Sequence, residues 1–133
     1  MRPRTWSAIL LGVPLRCLIV DDNSLFLEGA VDLLTREGLD VVGVASDTAA
    51  AIRLVSELRP DVTLVDIDLG DEDGFELARR LNDVSAASSK VILVSTHAEE
   101  DLAHLIEGSP ALGFIAKARL SAQAIRDTLE RAA

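Results

Sequence analysis

Short apolar segments alternate along the chain with longer segments whose apolar residues recur at helical spacing. This alternation is typical of βα units that build a parallel sheet. The runs LRCLIV, VTLVD and VILVS are continuously apolar, as expected of strands covered by helices on both faces, whereas the second and fifth runs are weaker. The pattern predicts strands over Leu15–Val20, Asp40–Ala45, Val62–Asp66, Val91–Ser95 and Gly113–Ala116.

The segments between and after the strands predict five helices, several with clear end signals. Gly38 lies where a left-handed cap would end the first helix, and Pro60 requires the second helix to stop before it. The motif Thr96-x-x-Glu99 predicts a capping box for helix four, which Gly108 and Pro110 then terminate. The small, polar stretch Ser85–Ser89 predicts a loop. The other helices are predicted over Ser24–Glu37, Thr48–Leu58, Gly74–Asn82 and Ser121–Arg131.

Length, composition and charge indicate one acidic domain. The chain has 133 residues, of which 49% are hydrophobic, and a net charge of -9, so nucleic-acid binding by this segment is not expected. The single cysteine, Cys17, lies in an apolar run, where we expect it to be buried; its lack of a disulfide partner fits a cytoplasmic setting. We expect residues 1–14 to be a flexible extension rather than a signal peptide, and residues 15–133 to be the folded domain. No apolar segment is long enough to span a membrane.

Polar residues follow the predicted strands at the edge where open parallel sheets bind ligands. The first strand leads into Asp21 and Asp22, the third ends at Asp66, the fourth ends at Ser95, and Lys117 follows the fifth. Three carboxylates together favour a divalent cation such as Mg²⁺, which also neutralises charge on a transferred phosphoryl group. The lysine and the hydroxyl would hold phosphoryl oxygens. This set suits phosphoryl transfer to a carboxylate, with Asp66 as nucleophile.

The segments LIVDDN, VTLVDIDLGDEDGFELARRL, VILVST and GFIAKARL resemble, in this order, a response-regulator receiver domain of two-component signalling. The resemblance covers Leu15 to Ala133. It implies an α/β fold with a single doubly wound, flavodoxin-like parallel sheet of five strands in the order 2-1-3-4-5 and helices on both faces. It also implies a sensor histidine kinase or phosphotransfer protein as partner, a possible homodimer, and no enzyme activity beyond the chain's own phosphorylation and dephosphorylation.

The same resemblance assigns roles to individual residues. Asp66 becomes the phosphoacceptor, Ser95 the switch hydroxyl, Lys117 the phosphate contact and Phe114 the switch aromatic, whose movement would remodel the face of helix four, strand five and helix five. The Mg²⁺ ligands would be Asp21, Asp22, Asp66 and the backbone carbonyl of Asp68.

Several positions depart from the family pattern. Gly70 and Ala118 stand where proline is common, so we expect a different loop rigidity at Gly70 and no cis peptide at Ala118. The alanine resembles receivers of LuxR- and NarL-type regulators. Asp68 and His97 occupy the two variable positions that flank the site, and we hypothesise that His97 tunes the lifetime of the phosphoryl group.

Other interpretations of the same residues remain open at this point. The aspartates at the strand ends are also favourable helix caps, and we assign the capping role before helix four to Thr96 rather than Ser95. His97 and His104 are expected to be exposed helix residues. Asp66-Ile67-Asp68 matches the D-x-D opening of haloacid-dehalogenase-type phosphatases, although two βα units precede it, and a receiver that only docks partners without phosphorylation is the third alternative.

Overall fold

A computed structural model describes residues 13–85 and 90–132 of the chain, with the side chains of residues 84 and 85 left out. The extension predicted over residues 1–14 therefore lies almost wholly outside the described residues. Within these residues, ten main elements follow one another in alternating order: β1 Arg16–Val20, α1 Ser24–Arg36, β2 Asp40–Ala45, α2 Thr48–Leu58, β3 Val62–Asp66, α3 Gly74–Ser85, β4 Lys90–Ser95, α4 Glu99–Glu107, β5 Gly113–Ala116 and α5 Ala122–Ala132.

The five strands form one parallel sheet in the order β2-β1-β3-β4-β5. The predicted doubly wound α/β fold and its strand order are confirmed. The weaker apolar runs are the two edge strands, β2 and β5, because an edge strand has one neighbour and more solvent contact. Since all strands run the same way, their carboxyl ends share one edge.

Helices cover both faces of the sheet, and each face has its own apolar cluster. Alternate residues of β1 point to opposite faces, so Ile19 belongs to the cluster beneath α1 and α5, and Leu18 belongs to the cluster beneath α2, α3 and α4. Cys17 is fully buried in the first cluster, as predicted, and burial raises the pKa of its thiol to about 12. The apolar side chains of α3, Phe75, Leu77, Ala78 and Leu81, are all buried.

Most predicted helix ends are close to those observed. Gly38 has the predicted left-handed conformation, with φ of 96°, directly after the cap residue Glu37. The second helix stops before Pro60, and its cap residue, Arg59, is left-handed with φ of 48°. The end predicted for α3 at Asn82 is wrong, because the helix continues to Ser85. The other boundary differences, at β1, α1, β4 and α5, are one residue at each end concerned.

The capping box predicted for α4 is also wrong. The helix begins at Glu99, its cap residue is Ala98, and no side chain accepts a hydrogen bond at that cap. Thr96 is exposed and lies two residues before the cap position. The chain turns instead on Ser95, whose Oγ accepts the backbone N–H of His97 at 3.0 Å. This turn delays the helix, so Glu99 occupies its first position rather than the third.

A short structure that the pattern did not predict lies between β3 and α3. Two-residue strands Asp68–Leu69 and Glu72–Asp73 pair antiparallel and form a hairpin that we call the acidic hairpin, Asp68–Asp73. Gly70 turns it with φ of 66°. The Glu72 carboxylate accepts the N–H of Thr48 at 2.7 Å, which ties the hairpin to the first turn of α2. The acidic run is therefore an ordered part of the edge that carries the candidate site.

Candidate functional site

A buried ion-pair cluster lies at the carboxyl edge of the sheet. Asp21 directly follows β1, Asp66 is the last residue of β3, and Lys117 directly follows β5. The Lys117 Nζ lies 2.6 Å from Asp21 Oδ2 and 3.2 Å from Asp66 Oδ2. Both carboxylates are buried, and the lysine side chain is 13% exposed. The structure thus brings together three residues predicted from separate strand ends.

The two aspartates after β1 have different surroundings. The N–H of Asn23 donates to Asp21 Oδ1 at 2.9 Å, and the cap of α1 is Asn23, whose Oδ1 accepts the N–H groups of Leu25 and Phe26. The capping interpretation therefore applies to Asn23, and neither aspartate caps α1. Asp22 is exposed, and its Oδ2 faces Gly70 of the acidic hairpin so closely that a Cβ there would lie 3.2 Å from it.

Asp66 has an unusual electrostatic environment. Burial raises the pKa of Asp66 to about 6, opposed by the N–H of Asp68, which donates to its Oδ1 at 3.2 Å. The negative charge of Asp21 raises the same pKa further, and Lys117 lowers it. Burial lowers the pKa of Lys117, but the hydrogen bonds and charges of Asp21 and Asp66 outweigh it and leave that pKa raised. The lysine is therefore a permanent cation in the site.

Three carboxylates fit the requirements of a divalent cation. Asp21, Asp22 and Asp66 each offer one oxygen, and these oxygens lie within 4.8 Å of one another. Asp21 Oδ2 is buried, and the Lys117 ammonium lies 2.6 Å from it. A carboxylate oxygen has more than one lone pair, so the same group can also bind a metal cation. An all-oxygen set suits Mg²⁺, and the carbonyl of Asp68 stays a predicted further ligand.

The predicted switch and tuning residues lie beside the cluster. Ser95 is buried at the end of β4, and its Oγ lies 3.1 Å from His97 Nδ1. His97 is exposed, as predicted, but it belongs to the turn before α4 rather than to a helix; His104 is exposed within α4. The His97 Nδ1 lies 3.8 Å from Asp68 Oδ2. Phe114 is buried in β5 among the apolar residues beneath α2, α3 and α4.

Two further residues shape the site and were not predicted. A Cβ at Gly74 would overlap the carbonyl oxygen of Asp66 and lie 2.6 Å from Ile67 Cα. Only glycine therefore allows the start of α3 to pack directly against the backbone at the end of β3. The ring of Phe26 lies with its centroid 4.3 Å from Lys117 Nζ. The signal that would have identified Phe26 is an aromatic residue in the first turn of the helix that follows the acidic pair.

Comparisons with known proteins agree with this architecture. The family model described as the response regulator receiver domain matches residues 17–130. The solved signal receiver domain of NarL from Mycobacterium tuberculosis is 31% identical, superimposes with a TM-score of 0.77, and the match covers 90% of this chain and 96% of that one.

Curated relatives at similar identity are longer proteins. The probable transcriptional regulatory protein NarL of Mycobacterium tuberculosis is 32% identical over 116 residues, which are 86% of this chain and 53% of that protein. A protein-glutamate methylesterase/protein-glutamine glutaminase of Koribacter versatilis is 31% identical over 107 residues, which are 78% of this chain and 29% of that protein. The chain thus spans about half, or less, of the length of these relatives.

Among the described residues, none of the helices has the length and apolar character needed to cross a membrane. The family model covers most of the chain, and the sheet order and the acidic edge agree with it. The chain belongs to the response regulator receiver domain family.

Proposed function

We propose that this receiver domain is a phosphoacceptor switch, in which Asp66 takes a phosphoryl group from a partner histidine kinase or phosphotransfer protein. The observation that carries the proposal is the shared ammonium of Lys117, held by Asp21 and Asp66 beside a third carboxylate. Receiver domains of this type interact with histidine kinases, and Asp66 is the last residue of β3 at the carboxyl edge of the sheet.

The proposed step uses Asp66 as an oxygen nucleophile. A carboxylate oxygen of Asp66 attacks the phosphorus of a phosphohistidine, the new P–O bond forms as the P–N bond breaks, and the released imidazole takes a proton from water. A pKa of about 6 leaves the Asp66 carboxylate mostly ionised at neutral pH, as a nucleophile must be. Lys117 would stabilise the charge that spreads over the phosphoryl oxygens.

Asp21, Asp22 and Asp66, with the backbone carbonyl of Asp68, would hold Mg²⁺ in this reaction. When bound, the ion supplies positive charge that neutralises the carboxylates and the phosphoryl oxygens. Asp21 would contribute a buried oxygen whose position its hydrogen bond from Asn23 already restricts. Asp22 would contribute from the exposed side, next to the acidic hairpin.

The acyl phosphate would act on the rest of the domain through Ser95 and Phe114. The Ser95 hydroxyl, which now contacts His97, would turn to donate to a phosphoryl oxygen. Phe114 borders a cavity of about 590 Å³ that Glu99 of α4 and Thr128 of α5 also line, so a moving ring would alter the α4-β5-α5 face. That face is our candidate for a homodimer contact or another readout.

By itself, this segment would act in the cytoplasm and catalyse only its own phosphorylation and dephosphorylation. Because its net charge is -9, it would not bind nucleic acid directly. The haloacid-dehalogenase alternative loses support, because the family match begins at residue 17, well before Asp66, and spans both flanking halves of the sheet. A docking module without phosphorylation is the remaining alternative.

The test is incubation with Mg²⁺ and acetyl phosphate, followed by intact-protein mass spectrometry. The wild type should gain one phosphoryl group and Asp66→Asn none. The matched control is Asp71→Asn, which removes an exposed carboxylate from the acidic hairpin and should still be phosphorylated. An unmodified wild type would favour the docking module, and repeated turnover of a generic phosphomonoester would favour a phosphatase.

A further inference from the structure

The ammonium of Lys117 has a third neighbour besides its two carboxylates. The centroid of the Phe26 ring lies 4.3 Å from Lys117 Nζ, within the range of about 6 Å in which a cation over an aromatic face is attracted to it. Phe26 belongs to α1 and Lys117 follows β5, so the partners are 91 positions apart in the sequence. With Asp21 and Asp66 also in contact, the lysine side chain is only 13% exposed.

We propose that Phe26 is a positioning residue, whose ring holds the Lys117 ammonium beside Asp66 so that the lysine is already in place for an incoming phosphoryl group. The effect on phosphorylation rests on the proposed function; the contact itself does not. A lysine has a flexible four-carbon stem and a single point charge, so its position depends on the groups that surround it. The ring limits the rotamers in which Nζ leaves the site.

An aromatic ring suits this task better than another acidic residue. Asp21, Asp22 and Asp66 already place three carboxylates within 4.8 Å, and a fourth would add repulsion and compete for a metal ion. The face of a phenyl ring attracts a cation through its quadrupole while carrying no formal charge. Phe26 therefore adds attraction for Lys117 without changing the charge that the phosphoryl group meets.

The position of Phe26 is determined by the same turn that orients Asp21. Asn23 donates its N–H to Asp21 Oδ1 at 2.9 Å and accepts the N–H of Phe26 at its own Oδ1 at 3.1 Å. The Phe26 side chain packs against the apolar cluster beneath α1 and α5. One capped turn thus places both an anionic and an aromatic partner of Lys117.

The chain offers a direct test because it contains two lysines, Lys90 and Lys117. Lys90 begins β4 at the opposite edge of the sheet and serves as an internal reference. Trace labelling with an amine-reactive ester, read by peptide mass spectrometry, gives the ratio of Lys117 to Lys90 modification. Phe26→Met keeps an apolar side chain of similar size without an aromatic face, and it should raise the ratio about threefold to tenfold. Phe26→Tyr, which keeps the face, should retain the wild-type ratio.

The control Phe75→Leu removes a buried ring from the other face of the sheet and should leave the ratio unchanged. An unchanged ratio in Phe26→Met would overturn the proposal, and so would an equal rise in Phe75→Leu, which would indicate general loosening. If circular dichroism shows Phe26→Met to be unfolded, Phe26→Leu replaces it under the same criteria.

A second measurement connects the contact to phosphorylation. With Mg²⁺ and acetyl phosphate, Phe26→Met should be phosphorylated about threefold to tenfold more slowly than the wild type, and Phe26→Tyr should recover most of the rate. A normal rate in Phe26→Met would overturn the positioning role. The labelling experiment does not depend on phosphorylation. A wild type that is not phosphorylated would therefore count against the proposed function, and the labelling ratio would still show whether the Phe26 ring holds Lys117.

Discussion

Replacing Asp66 by asparagine should stabilise the metal-free protein, although it removes the proposed nucleophile. Burial, with the nearby charge of Asp21, raises the pKa of Asp66 from 3.8 to about 6, so the folded state disfavours its charged form. Asparagine keeps the shape and carries no charge. The substitution should therefore raise the free energy of unfolding at neutral pH.

The magnitude follows from the pKa difference. A shift from 3.8 to about 6 corresponds to about 3 kcal/mol at most. Asparagine loses the ion pair with Lys117, and water at the sheet edge screens the charge, so we expect about 1–2 kcal/mol. Because the pKa of Asp66 is higher in the folded than in the unfolded protein, ionisation of Asp66 destabilises the folded state. This destabilisation reaches its full size above about pH 6, is about half as large near pH 5, and is absent below the unfolded pKa.

The assay is urea unfolding followed by circular dichroism, in a chelator, at about pH 7.5 and about pH 5. The advantage of Asp66→Asn over the wild type should be largest at the higher pH and fall by about half at the lower. Asp40→Asn removes the same charge from an exposed position on edge strand β2 and should change stability by less than about 0.5 kcal/mol. The reasoning is wrong if Asp66→Asn is no more stable than the wild type at the higher pH.

Three further predictions concern neighbouring features. Gly74→Ala should lower the free energy of unfolding in urea by more than about 2 kcal/mol and abolish phosphorylation, because the added Cβ would overlap the Asp66 carbonyl. The control Gly29→Ala, whose Cβ has open space around it, should be neutral or stabilising. Ala98→Ser should stabilise by about 1 kcal/mol in the same assay, since α4 has no side-chain cap; no gain would contradict this. His97→Ala should change the decay rate of phosphorylated protein, measured by mass spectrometry over time, and an unchanged rate would refute the tuning role.

The alternation of apolar runs and helical segments predicted nearly all of the fold. Strands at the centre of a parallel sheet must be apolar on both faces, so VTLVD and VILVS predicted β3 and β4 to within one residue. Helix ends depend on local chemistry that is visible in the sequence, such as glycine at position 38 and proline at position 60. The start of α4 was predicted wrongly because Ser95 uses its hydroxyl in a turn, and no local pattern distinguishes that turn from a capping box.

The pattern of apolar runs is enough to identify the polar residues that end the strands, and parallel strands bring those ends to one edge of the sheet. It therefore predicted Asp21, Asp66 and Lys117 as neighbours. The contacts among them are visible only in the folded chain: Lys117, after β5, reaches both carboxylates, and the ring of Phe26 in α1 lies over its ammonium. Such contacts depend on side-chain rotamers and on packing between elements far apart in the chain, which the periodicity of a sequence does not encode.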